Sequence, residues 1–165
     1  MIKLFIDRYD GQHGHLGVLS VKDSRGCFVF EKLPIRSGQA GHGATHWTPS
    51  KSPIPHSDKT HTRKLFLHLQ HVNKNGEASP ISAKDHGIGW FWPISDDIRD
   101  PWRIEGVGGS RSFIGLHAEN AFAGSAGCPV LVHDTTEQEA AVMALNQYLD
   151  TLRRKGVKTI EVWVG

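Results

Sequence analysis

Two residues of complementary chemistry stand close together late in the chain: His117, in Gly115-Leu116-His117, and Cys128, which closes Ser125-Ala126-Gly127-Cys128. A thiol is a weak nucleophile until it loses its proton, and a neighbouring imidazole both lowers its pKa and accepts that proton. The pair reads as a nucleophile and its base. Gly127 adds to this, because a residue without Cβ lets the chain turn tightly and lets a substrate carbonyl reach the backbone amides. Pro129 carries no N–H, so an oxyanion hole would draw on the amides of Gly127 and Cys128, with Ala126 behind them. Asn120 is placed to orient the imidazole, and Ser125 to donate to the thiolate or to substrate. Each has a plainer reading. A cysteine after glycine is commonly a small buried residue, and a histidine in an apolar strand a core residue with a backbone partner. Asn120 and Ser125 are then turn residues.

The elements that hold these residues read mostly as strands. Residues 1–8, 16–22 and 27–33 are short, alternate, and favour β-branched or aromatic side chains. With breaks at Asp10-Gly11 and residues 23–26, they predict a meander. Cys27, in an alternating apolar stretch, predicts a buried strand residue. Residues 37–62 crowd Gly, Pro, Ser, Thr and His together and predict a long loop. Strand character resumes at 65–69, turns at Asn75-Gly76, is lost over 79–99, and returns at 102–107 and 112–117 as a pair across Gly108-Gly109. One helix is expected. Thr135 caps it with Gln138 at the third position, and Ala141, Leu145, Tyr148, Leu149 and Leu152 recur at helical spacing. Arg153, Arg154 and Lys155 then precede Gly156. The helix should lay its apolar stripe on the sheet, and residues 157–164 alternate as a closing strand.

The 165 residues fit one domain, 1–165, of α+β class: a β-rich sandwich or barrel-like fold with one main C-terminal helix. The net charge of +2 is scattered and lacks the basic block that tracks nucleic acid, so no nucleic-acid partner is expected. The first residues alternate and meet a charge too early for a secretory h-region, and no apolar run is long enough to span a bilayer. A soluble chain without a Sec signal or transmembrane segment is expected, cytoplasmic at synthesis and released by lysis or a dedicated secretion route. Abundant glycine and tryptophan, 18 and 5, fit a turn-rich β protein with an aromatic-lined groove for an extended peptide or sugar. A disulfide between Cys27 and Cys128 would block the nucleophile and is not expected.

Histidines offer a competing chemistry. His13, His15, His42, His46, His56, His61, His68 and His71 are numerous, and zinc takes neutral imidazoles. None has diagnostic spacing, and no carboxylate stands beside a histidine pair to act as general base. The expectation is no metal and no cofactor.

His117, Ser125, Gly127 and Cys128 together resemble the signature of the L,D-transpeptidase catalytic domain of the YkuD type, a histidine, a spacer, then Ser/Thr-His-Gly-Cys. Leu33-Pro34-Ile35-Arg36-Ser37-Gly38 and Thr48-Pro49 resemble that family's strand, turn and downstream segment. Ala126 replaces its second histidine, Val130 stands where an arginine or asparagine often follows, and the spacer is short. The compact pattern His117, Asn120, Ser125, Gly127, Cys128 is similar to small phage-associated and bacterial relatives. The resemblance implies a cysteine acyl-transfer enzyme whose substrate is a peptidoglycan stem peptide, with Cys128 as nucleophile and His117 as base. It implies an imidazole oriented by a backbone carbonyl more often than by a side chain such as Asn120. Arg111 would bind a substrate carboxylate in place of the missing arginine, or is a solvated loop residue. His42, His46 and Trp47 would line the groove. A non-catalytic wall-binding or virion structural domain of the same fold is the alternative.

Overall fold

The computed structural model describes residues 1–8, 16–37, 63–72, 78–79, 81–82, 89–106, 109–112, 114–119 and 128–165. Its strands are β1 (Lys3–Arg8), β2 (Leu16–Lys22), β3 (Phe28–Arg36), β4 (Arg63–His68), β5 (His71–Val72), β6 (Ala78–Ser79) and β7 (Ile81–Ser82). They continue as β8 (Trp90–Ser95), β9 (Arg103–Gly106), β10 (Gly109–Ser112), β11 (Gly115–Ala118) and β12 (Val130–Leu131), followed by the helix α1 (Thr136–Arg154) and β13 (Thr159–Val164).

The alternation in the first three segments becomes an antiparallel meander, β1 on β2 and β2 on β3. Its inward residues Leu4, Ile6, Leu19, Val21 and Ile35 are buried to 1% exposure or less, as the period of two requires. β13 joins beside β1 in parallel and beside β4 antiparallel, adding Ile160, Val162 and Val164 to the same interior. The order β11-β12-β3-β2-β1-β13-β4-β8 then closes, because β8 pairs back onto β11. The result is a closed barrel of eight strands with one C-terminal helix, and closure leaves these strands no open edge. β7 adds to β8, while β9–β10 and β5–β6 form two-stranded ribbons.

The helix begins as its sequence requires. Thr135 accepts from the Gln138 amide, and the Gln138 side chain accepts from the Thr135 amide, a capping box in which losing the threonine costs about 1 kcal/mol. Val142, Leu145, Leu149 and Leu152 form the buried stripe; Ala141 and Tyr148 are only half-buried. Tyr148 meets Phe30 edge-on, with ring centres 5.6 Å apart. Asn146 is the polar residue in the stripe: its Oδ1 accepts from the Trp90 amide and from Trp92 Nε1, both at 3.0 Å, and its Nδ2 donates to Val142 O. It ties the helix to the barrel through β8.

Several expectations need correction. Residues 79–99 do not lack regular structure, since they contain β8, the strand that closes the barrel. Pro93 within it is a residue that ordinarily argues against a central strand. Gly115 stands opposite Pro93, and a Cβ there would lie 2.4 Å from Phe91 Cζ, so only glycine admits this approach. Of residues 112–117, Ser112 pairs with Arg103 as the last residue of β10, which closes that ribbon, but β11 runs instead into the barrel wall. Cys27 is exposed, because β3 starts after it and Cys27 belongs to the turn, its amide donating to Asp23 Oδ1 at 3.0 Å. The long loop expected at 37–62 and the turn at Asn75-Gly76 lie outside the described residues, apart from Ser37, which is buried. Among the described residues no helix is long and apolar enough to cross a membrane.

Candidate functional site

β11 and β12 bring the two chemistry-bearing residues into one corner of the barrel wall. They run parallel with His117 opposite Val130, and the His117 amide donates to Pro129 O at 3.4 Å. Cys128 precedes that proline directly. The apolar neighbours Leu116, Ala118, Val130 and Leu131 face packed surroundings and are buried, which anchors both short strands. Cys128 itself retains 8% exposure, while His117 is half-buried. Both cysteines are thiols, unlinked to each other.

The imidazole has a defined tautomer. His117 Nδ1 lies 2.7 Å from Ala118 O, and a carbonyl only accepts, so Nδ1 carries a proton, and in the neutral ring Nε2 carries the lone pair. The pairing of β11 with β8 ends at Leu116 opposite Trp92, one residue short of His117. The carbonyl of Ala118 therefore lies past the end of that ladder and accepts from the ring. Phe91 stacks on the imidazole at 5.4 Å between centres and 27° between planes, fixing its second orientation. A half-buried ring with Nε2 basic is the form that a thiol's proton acceptor requires.

Beside this ring stands a buried ion pair that sequence reasoning missed. Glu119, 4% exposed, pairs with Arg36 Nη1, and Arg36 Nη2 lies 4.0 Å from Asp134 Oδ2. Arg36 reaches it because β3 pairs with β12 in the register Arg36 opposite Val130, the same residue that faces His117. Its Nε is buried without a hydrogen-bond partner among the described residues. His133 Nε2 donates to Glu119 O at 2.8 Å. The spacing of Arg36 and Glu119 carries no local signal; only the barrel's strand order joins them.

A second imidazole–hydroxyl pair is structural. His68 Nε2 and Ser95 Oγ are 2.7 Å apart and buried, but the Ser95 hydroxyl donates to Asp97 O at 2.7 Å. Its single proton is committed to a carbonyl, so Ser95 accepts from His68 and is not activated by it.

Of the remaining candidates, Asn120, Ser125, Gly127, His42, His46 and Trp47 lie outside the described residues. Arg111 has its backbone in β10 opposite Ile104, and its side chain lies outside them too. Among the described residues no group of three or more His, Cys, Asp or Glu is arranged to hold a metal. Compared with protein-family models, curated proteins and solved structures, the chain matches none.

Proposed function

We propose that this chain is a cysteine-dependent acyl-transfer enzyme of L,D-transpeptidase type, acting on the stem peptides of bacterial peptidoglycan. The observation that supports the reading is the parallel alignment of His117 with Val130, with an imidazole that donates from Nδ1 beside the segment that starts at Cys128. The Cys128 thiolate would attack the carbonyl of a diamino acid residue joined to a D-amino acid, while His117 Nε2 holds the thiol proton. The tetrahedral oxyanion would be met by the amides of Gly127 and Cys128. As it collapses, the C–N bond breaks and His117 returns the proton to the leaving amine, giving a thioester. Water then yields the trimmed peptide, and an amine yields a D-residue exchange or a crosslink. The absent second histidine and the Val130 that stands for an arginine favour trimming or exchange over crosslinking.

The near-complete burial of Cys128 supports one other reading, a wall-binding or virion structural domain of the same fold without catalysis. Mass spectrometry of tetrapeptide muropeptides separates the two. The catalytic reading expects a product one D-residue shorter or exchanged, absent with Cys128→Ala. Binding without conversion supports the other.

A further inference from the structure

We infer that Arg36, Glu119 and His133 form a brace whose task is to hold the Ala118 carbonyl that orients His117, making all three positioning residues for the thiol's base. This rests on the reading of His117 and Cys128 as a reactive pair.

Ala118 O belongs to the peptide that joins Ala118 to Glu119, so whatever fixes Glu119 fixes that oxygen. Glu119 is held on every side. Its amide donates to Leu131 O at 2.9 Å, its carbonyl accepts from His133 Nε2 at 2.8 Å, and its carboxylate pairs with Arg36. Arg36 in turn hangs from the strand position opposite Val130, so the brace spans β3, β12 and β11 around the imidazole. Among the described residues Asp134 is the other charge that faces the guanidinium, and it is exposed.

A carboxylate this buried would be costly unless it were paired, and a plain apolar contact would hold the barrel wall as well. An apolar residue at 119 would keep the main-chain bonds to Leu131 O and His133 but would lose the tie to Arg36, which is what the carboxylate adds to the hold on the Ala118–Glu119 peptide. A hydrogen bond to Nδ1 selects the tautomer and the direction in which Nε2 points. If the Ala118 carbonyl swings away, the ring is free to put its proton on Nε2, where it can no longer accept from a thiol.

The brace is tested with Glu119→Gln, which keeps the shape and removes the charge, and His133→Ala, which removes the bond to Glu119 O from a half-buried position. Nitrogen-15 NMR of the His117 ring and the pH dependence of iodoacetamide alkylation at Cys128 are the readouts. Glu161→Gln, which removes the ion pair with Lys64 on β13 and β4, neither of which pairs with β3, β11 or β12, is the control. Both brace variants should raise the population protonated at Nε2 and slow alkylation at neutral pH by about tenfold, the effect of one unit in thiol pKa. Glu161→Gln should change neither. Unmoved ring signals in the brace variants that fold, or equal movement in Glu161→Gln, would overturn the brace. If His117→Ala leaves alkylation unchanged, the reactive pair itself fails, and the ring signals still decide whether the brace exists.

Discussion

His117 donates from Nδ1 to the carbonyl of Ala118, its own chain neighbour, at 2.7 Å. The base of the candidate pair is thus oriented by main chain. In the neutral ring that choice leaves Nε2 as the nitrogen with a lone pair, and the strand pairing that ends at Leu116 is what lets the carbonyl serve.

Thiol reactivity follows from this geometry. Cys27 is exposed and Cys128 is buried, so access alone favours alkylation of Cys27. Faster labelling of Cys128 by iodoacetamide at neutral pH therefore reports a thiolate, and His117→Ala should remove that advantage. Peptide mapping of the labelled protein checks it. Slower labelling of Cys128 than of Cys27, unaffected by the histidine, contradicts the pair.

Stability of the helix contact should depend on Asn146. In Asn146→Leu the Trp90 amide and the Trp92 indole N–H lose their acceptor, at an expected cost of about 2–4 kcal/mol. Guanidinium unfolding measures it. Gly89→Ala should also destabilise, since Gly89 has φ +66° and a Cβ would lie 2.3 Å from Asn146 Cγ. A loss below about 0.5 kcal/mol in both would mean that the helix is held by its apolar stripe alone.

Acid should weaken the fold through Glu161. The Lys64 ammonium, 3.1 Å away, holds the Glu161 carboxyl below its ordinary value, and the Trp163 indole N–H assists. A carboxyl lowered in the folded state contributes stability above its unfolded pKa, and loses that contribution as pH falls through the folded one. Asp23 behaves alike, lowered first by the Cys27 amide and then by Arg25. Stability followed by denaturant midpoint should decline below the ordinary carboxylate range. Glu161→Gln should flatten that decline, whereas an unchanged acid limb would show that Glu161 titrates alike in both states.

The parts of the fold legible in the sequence are those whose signals are local. The capping box of Thr135 and Gln138, the stripe of Leu145, Leu149 and Leu152, and the alternation of residues 16–22 all reappear as read. β8 was hidden by Pro93, and β12 is too short for alternation to register. The helix reading takes Ala141 for the stripe where Val142, three residues before Leu145, belongs, and it passes over Asn146 because that residue is polar. At the site, His117 and Cys128 carried chemistry in their residue types alone. Arg36 and Glu119 did not, because their meeting depends on β3 pairing with β12 and β12 with β11, which no window of sequence contains.

The central claim is that Cys128 transfers an acyl group from a peptidoglycan stem peptide. Incubating purified tetrapeptide muropeptides with the protein, with Cys128→Ala and with His117→Ala, and weighing the products by mass spectrometry, tests it most directly. The account predicts loss or exchange of the terminal D-residue with the native chain, none with Cys128→Ala, and a severely slowed reaction with His117→Ala. Conversion that survives Cys128→Ala, or none with the native chain reduced and folded, would contradict it.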